Sequence, residues 1–316
     1  MIPYRQLRAS HKRVPPKGLL GLPAPFSVFV EPTNVCNFAC PICPESFHDF
    51  EDRAGYYRRM SRETWARVRS ELATFGKLKV LRFWGMGEPT LHADLPEWIE
   101  EGTKLSERTE LATNGSRLEE MALRLVLSGL QYLRISVYST DEDEYQVKSG
   151  SHYKLSDILR QAREFRRIRE TFRSDRPWIT AQLIAARPDV QAFQSQWEGI
   201  ADDLVVERLH NWTGDSDGGF VQISKPSSHA PLVCSKPFSE LLIKANGDVN
   251  PCCADWDGNL KLGNVNSETL LSMWNGDVLR AIRQLHLAGS RCGLKACRDC
   301  TVIDSQYDNM DGLIER

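Results

Sequence analysis

The sequence predicts an α/β fold: a partial (β/α)6 TIM-like barrel followed by a small, loop-rich, cysteine-rich C-terminal domain. Short apolar or β-branched runs alternate six times with longer amphipathic stretches, the rhythm of a parallel sheet with crossover helices. Six such units suit a partial barrel better than a closed eight-fold one. After about residue 212 the rhythm stops, and turn residues and six of the nine cysteines take over.

The first 25 residues are basic and contain proline (Arg5, Arg8, Lys12, Arg13, Lys17). They lack the continuous apolar run of a secretory signal and read as an arm on the surface. The barrel is assigned to residues 26–225, with strands at 27–31, 80–84, 110–112, 132–137, 179–184 and 204–208. Helical spacing, with charges on one side, runs over 62–75, 95–104, 118–127 and 155–172. Ser61 and Thr64, followed by Trp65 and Val68, form a helix-start signal. The stretch TGDSDGG at 213–219 is a linker. The C-terminal domain is assigned to 226–305, with a hairpin in LLIKANGDVNPCC turning at Asn246–Gly247, a helix over about 267–287, and a tail at 306–316.

Composition excludes several classes. Hydrophobic residues make up 41% and charged residues 26%, as in soluble globular chains. The formal net charge of -2, and the lack of a Lys/Arg stripe with interleaved aromatics, argue against nucleic acid as a partner. No apolar run approaches the roughly 18 residues of a membrane span. A cytoplasmic location is the expectation. An odd cysteine count, split into two tight groups without a secretory signal, points to metal or cluster ligation rather than disulfides.

Cys36-Asn37-Phe38-Ala39-Cys40-Pro41-Ile42-Cys43 follows the first predicted strand, and in a parallel barrel the loop after a strand lies on the catalytic face. Three thiolates at spacings of four and three can hold three irons of a cubane cluster and leave the fourth open. A zinc knuckle is the alternative on spacing alone. It requires neither Gly85-Met86-Gly87-Glu88-Pro89 after the second strand, nor Thr113-Asn114-Gly115 after the third, nor Ser136 in the fourth. These residues together resemble the radical S-adenosylmethionine (SAM) superfamily over roughly 26–210. The resemblance implies that Cys36, Cys40 and Cys43 hold a 4Fe–4S cluster whose free iron chelates SAM. It also implies that Gly85, Gly87 and Glu88 meet the methionine amino group, and that Thr113, Asn114 and Ser136 contact ribose or the methionine moiety. Met86 departs from the usual first glycine, and Ile42 from an often aromatic position that touches adenine.

Downstream, CSKPF…ANGDVNPCC…LGNV…MWNG…CRDC resembles the SPASM or shorter twitch extension over about 232–302. Six cysteines and the spacing of the last three favour the twitch form. The resemblance then implies one auxiliary 4Fe–4S cluster on Cys234, Cys252, Cys297 and Cys300, with a zinc ribbon as the alternative. Cys253 and Cys292 are left over. Cys253, next to a proposed ligand, is the candidate for a thiol that gives a hydrogen atom to a substrate radical.

The resemblance implies reductive cleavage of SAM to a 5′-deoxyadenosyl radical and hydrogen abstraction from a C–H bond. The compact layout is similar to the dehydrogenases and epimerases of aminoglycoside pathways. A sugar- or aminocyclitol-like small molecule is therefore the expected substrate, and a flavodoxin- or ferredoxin-type protein the expected electron donor. Only about 25 residues precede the first strand, which reads as too few for a peptide-leader domain. A peptide maturase is the alternative enzyme, and a cysteine-rich zinc protein the alternative outside catalysis. Asp202, Asp203, Asp215, Asp217, Asp255 and Asp257 suit a polycationic ligand if they line the mouth, and a solvated surface otherwise. His48, His210 with Trp212, and Arg187 are weaker pocket candidates.

Overall fold

The computed structural model describes residues 4–6, 16–185, 188–207, 209–210, 227, 230–305 and 309–314. Its strands are β1 (Tyr4–Gln6), β2 (Ser27–Val30), β3 (Val80–Phe83), β4 (Thr109–Thr113), β5 (Tyr132–Val137), β6 (Trp178–Ile184), β7 (Asp203–Glu207), β8 (Glu240–Ile243), β9 (Asp248–Asn250) and β10 (Gly263–Asn264). They form one sheet in the order β1-β7-β6-β5-β4-β3-β2-β8-β9-β10. From β1 to β8 every pairing is parallel, and only β8–β9 and β9–β10 are antiparallel. The sheet stays open, with β1 and β10 at its edges.

The helices are α1 (Phe50–Ala54), α2 (Arg62–Thr74), α3 (Leu95–Leu105), α4 (Leu118–Leu127), α5 (Glu142–Ser149), α6 (Leu155–Thr171), α7 (Val190–Trp197), α8 (Lys236–Ser239), α9 (Leu270–Trp274) and α10 (Asp277–Leu287). Side chains alternate across a strand, so Leu133, Ile135 and Val137 of β5 face the helices together with Leu81, Leu111, Ile179 and Leu183, all nearly inaccessible. Burying each such side chain contributes about 1.5–3 kcal/mol. The intervening residues of β5 (Tyr132, Arg134, Ser136) are only half-buried and point to the helix-free face. Polar chemistry is thereby concentrated on one face of the sheet.

All six strands expected from the alternation form, within a residue or two of their expected ends. Ser61 caps α2, its Oγ accepting from the Thr64 N–H at 3.1 Å. The expected hairpin turns at Asn246–Gly247, where Gly247 has φ +89°. The expected helix over 267–287 is instead two helices, because Gly276 takes an extended conformation (φ -74°, ψ 164°) between α9 and α10. Two pairings were not foreseen. β1, from the N-terminal arm, adds to β7, and β8, from the C-terminal domain, adds beside β2 with Phe29 opposite Leu242. Both partners lie some 200 residues away in sequence, beyond the reach of any local pattern. The linker at 213–219 lies outside the described residues.

Candidate active site

The loop after β2 carries Cys36, Cys40 and Cys43, of which Cys40 is buried and the other two half-buried. The cysteines fold back on themselves through the Cys43 N–H, which donates to the Cys40 carbonyl at 2.9 Å. The thiols are electrostatic neighbours: as thiolates, Cys36 and Cys43 repel each other, as do Cys40 and Cys43. Burial pushes Cys40 and Cys43 up to about 12, and raises Cys36 further still, with Glu88 adding to the effect. No basic side chain is among the groups that act most strongly on the three. Such a nest accepts three thiolates only together with a cationic centre, so the residues fit an iron–sulfur cluster. Among the described residues, no three His, Cys, Asp or Glu side chains close around one point tightly enough for a single metal ion.

The glycine motif after β3 is pressed against this loop. A Cβ on Gly85 would collide with the Glu31 side chain. At Gly87, where φ is +67°, a Cβ would lie 2.5 Å from the Thr33 carbonyl oxygen. Glycine is required at both positions because the two loops touch. Glu31, at the end of β2, accepts from the Met86 N–H (2.8 Å), the Ala245 N–H (3.2 Å) and the Tyr56 hydroxyl. It ties the glycine loop, the hairpin and the chain before α2 to one carboxylate. An acidic residue ending an apolar strand was the only sequence signal for this role.

Glu88 is buried, and burial raises its pKa above the usual carboxylate range, against the pull of its donors. Its Oε1 accepts from the Thr90 N–H (3.0 Å), the Thr90 hydroxyl (2.6 Å) and the Thr113 hydroxyl (2.6 Å), and its Oε2 from the Asn114 N–H (2.7 Å). Asn114 in turn donates to Asn37, between the cysteines, at 2.9 Å. The ends of β2, β3 and β4 are thus locked together, which brings Gly85, Gly87, Glu88, Thr113 and Asn114 to the cysteine loop. Ser136 lies in β5 on the helix-free face, in register with Gln182.

At the other end, Cys234, Cys252, Cys297 and Cys300 also gather. Cys234 acts on Cys252 and Cys297, and Cys300 acts on both Cys234 and Cys297. Burial pushes Cys234 up to about 11. Cys292 is exposed. His286 of α10 is fully buried beside the group, and its Nδ1 accepts from the Cys234 N–H at 3.2 Å. That contact assigns the proton to Nε2, which faces the Cys297 Sγ at 3.8 Å. Burial, and then Arg291, push His286 down to about 4, so it is neutral at neutral pH. One histidine in an amphipathic helix has no spacing signal, and sequence reasoning missed it.

Cys253 adjoins this group, acting on Cys252 and sharing Lys236 with it. Its Sγ accepts from Lys236 Nζ at 3.3 Å and its N–H donates to Glu240 at 3.1 Å, while Lys236 and Glu240 pair at 3.0 Å. Arg82 of β3 and Arg134 of β5, on the helix-free face, both feel the Cys253 thiol. Cys253 therefore sits between the second cysteine group and the sheet face that leads up to Ser136.

The described acidic residues do not gather into a cation-binding mouth. Asp202 is taken by Arg169 and the Ile179 N–H, Asp257 pairs with Arg53 at 3.5 Å, and Asp255 accepts from the N–H groups of Asn259 and Leu260. Asp203 is buried at the start of β7, the end of the strand away from the cysteine loop. Asp215, Asp217, Arg187 and Trp212 lie outside the described residues. His48 is exposed, and His210 is half-buried with its Nε2 4.0 Å from Glu207.

Comparison with known proteins matches both cysteine groups. The profile of the Radical SAM superfamily matches residues 30–174, and that of SPASM, an iron–sulfur cluster-binding domain, matches residues 234–301. PqqA peptide cyclase of Rhodopseudomonas palustris is 34% identical over 144 residues, covering 44% of this chain and 37% of the relative. The chain thus matches well under half the length of that curated relative. The crystal structure of BtrN in complex with AdoMet and 2-DOIA superposes with a TM-score of 0.59 at 18% identity, covering 88% of this chain and 93% of that one. Streptococcus suis SuiB bound to precursor peptide SuiA gives a TM-score of 0.65 at 15% identity, covering 95% and 78%.

Proposed function

The chain carries a radical SAM domain followed by a SPASM domain, whose cofactors are SAM and two iron–sulfur clusters, and from that premise we propose that it epimerises a carbon centre of a sugar-like small molecule. The observation that carries this reading is the placement of Cys253, a thiol left over from the proposed ligand set and held next to Lys236 and Glu240, the latter in register with Ser27 at the helix-free face of the sheet. In this reading Cys36, Cys40 and Cys43 hold the first cluster, and Gly85, Gly87, Glu88, Thr113, Asn114 and Ser136 frame SAM. Cys234, Cys252, Cys297 and Cys300 hold the second cluster, and a small flavodoxin- or ferredoxin-type protein is the electron donor. When bound, the clusters supply the electron that splits SAM into methionine and a hydrogen-abstracting 5′-deoxyadenosyl radical, and a redox partner at the far end of the site.

The protein's own groups do the rest. The locked loop ends hold SAM against the cysteine loop, and the substrate lies on the helix-free face between Ser136 and Cys253. Cys253 returns a hydrogen atom from the side opposite SAM, which inverts the centre. Restoring its thiol takes one electron and one proton, and Lys236, at 3.3 Å, is the proton donor in reach. Dehydrogenation follows instead if the substrate radical loses an electron before it meets the thiol. A second reading, a peptide maturase, is favoured by the 34% identity to a PqqA peptide cyclase.

The test is turnover of the anaerobically reconstituted protein with SAM and reductant in deuterated water, on a pool of sugars and aminocyclitols, followed by mass spectrometry. An isomer carrying one deuterium on carbon, lost in Cys253→Ala, is expected. A product two hydrogens lighter replaces epimerisation by dehydrogenation. Turnover of peptides only replaces the substrate class.

A further inference from the structure

On the helix-free face of the sheet, several of the described charged side chains are held in pairs. Arg82 of β3 donates to Glu110 at 2.8 Å and to Ser27 at 3.3 Å. Glu110 also pairs with Arg108 at 2.5 Å, and Lys236 with Glu240 at 3.0 Å. Arg134, in the middle of β5, is not held in this way. Its guanidinium carbon lies 4.5 Å from the ring centroid of Trp84, and it makes no hydrogen bond or ion pair with any described residue. Its Nε is buried without a partner. The carboxylates of Glu207 and Glu110 act on it only from beyond ion-pair range, and Arg82 repels it.

A guanidinium in such a place is costly unless an anion completes it. Its position says which anion. Arg134 stands in register with Ala112 and Thr180, two residues before Ser136, on the face that leads to Cys253. This is the gap that the proposed function assigns to the substrate. Trp84 lies against the guanidinium, and a guanidinium fork matches a carboxylate by two parallel hydrogen bonds.

We infer that Arg134 anchors a carboxylate of the substrate, so that the substrate is an acidic sugar-like molecule rather than a polycationic aminocyclitol. The inference rests on the small-molecule reading above. It also accords with the acidic side chains, which are committed to Arg53, Arg169 and backbone N–H groups and leave no described cluster for a polycation.

The experiment is calorimetric titration of the reconstituted, SAM-loaded protein with D-glucuronate, D-galacturonate and N-acetylneuraminate. Glucose, galactose and glucosamine are titrated in parallel, into wild type, Arg134→Gln and Arg134→Lys. At least one acidic sugar is expected to bind wild type about 10- to 100-fold more tightly than its neutral counterpart, with that preference lost in Arg134→Gln and partly kept in Arg134→Lys. Cluster absorbance, melting temperature and SAM affinity are expected to stay unchanged. Equal binding of neutral or cationic sugars, or an acidic preference that survives Arg134→Gln, overturns the role of Arg134 and leaves the sugar reading standing. Loss of SAM affinity in Arg134→Gln overturns it by reassigning the guanidinium to the SAM carboxylate. Binding of none of the six sugars sinks the small-molecule reading itself, and this inference with it.

Discussion

Glu88 and His286 are single residues that order the surroundings of the two cysteine groups. Glu88 uses one carboxylate to accept four hydrogen bonds from two loops. In Glu88→Gln an amide NH2 faces donors where an oxygen accepted, so the ends of β3 and β4 part. The expected cost is about 2–3 kcal/mol in denaturant unfolding, with weaker SAM binding by the reconstituted protein. Unchanged stability would show that the carboxylate serves ligand alone. His286 directs its Nε2 proton at Cys297, a ligand of the second cluster in the function proposed above, and hydrogen bonds to cluster sulfurs favour the reduced state. His286→Phe is therefore expected to lower the midpoint potential of the auxiliary cluster by tens of millivolts in an EPR-monitored redox titration, while the potential of the SAM-binding cluster stays put. The cysteines and the glycine motif were legible because their chemistry is written in spacing. Glu31, His286 and Arg134 were not. A charged or polar residue at every second position of a strand reads as a solvated face, and only the folded sheet shows that this face leads to Cys253.

Among the elements, the hairpin β8–β9 bears most on the site, since its N-terminal strand extends the parallel sheet and its exit places Cys252 and Cys253. Its turn is held by Asp248, which accepts from Lys261 (2.7 Å), Asn264 (2.8 Å) and Asn246 (2.9 Å). Burial alone would raise the Asp248 carboxyl, but these donors outweigh it and hold the pKa below the usual range. A depressed carboxyl stabilises the fold above its unfolded value of about 3.9, and that contribution is lost as pH falls through the lower folded value. The wild type is thus expected to lose melting temperature below about pH 4 more steeply than Asp248→Asn. At pH 7 the variant starts about 1 kcal/mol lower, a solvent-screened value. Parallel pH–melting curves for the two proteins would remove Asp248 from the account. This hairpin was legible in Asn246–Gly247 between apolar runs, and α2, α3, α4 and α6 in their period. The sequence hid α5, whose segment EDEYQVKS has little apolar face, and the break at Gly276, because a glycine inside a helical pattern does not by itself say whether the chain turns there.

The whole molecule is one sheet built from two sequence domains. β8 lies parallel to β2 along its full length, from Ser27 opposite Glu240 to Val30 opposite Ile243, and the Glu31 N–H adds a bond to the Ile243 carbonyl at 2.9 Å. Beneath it, a single core cluster runs without interruption from Val28 and Leu81 of the barrel to Val249, Trp256 and Trp274 of the C-terminal part. The Trp274 indole donates to the Leu22 carbonyl at 2.8 Å, and the Glu71 carboxylate of α2 accepts from the Leu270 N–H at 3.0 Å. Removing β8 would expose the backbone of β2 as an unpaired edge and open this core. The shared sheet and core lead us to expect the parts on either side of the boundary near 225 to unfold together. Hydrogen exchange in rising urea is expected to report the same opening free energy for peptides of β2, β3 and β8, as one cooperative unit requires. If β8 to β10 instead exchange at lower urea while β2 and β3 stay protected, the second cysteine group can detach from the barrel. The distance from Cys253 to the helix-free face would then be set by a loose joint rather than by the sheet. In the proposed epimerisation, a thiol that must meet a substrate radical from a fixed side needs the first outcome, so this measurement tests that proposal as directly as it tests stability.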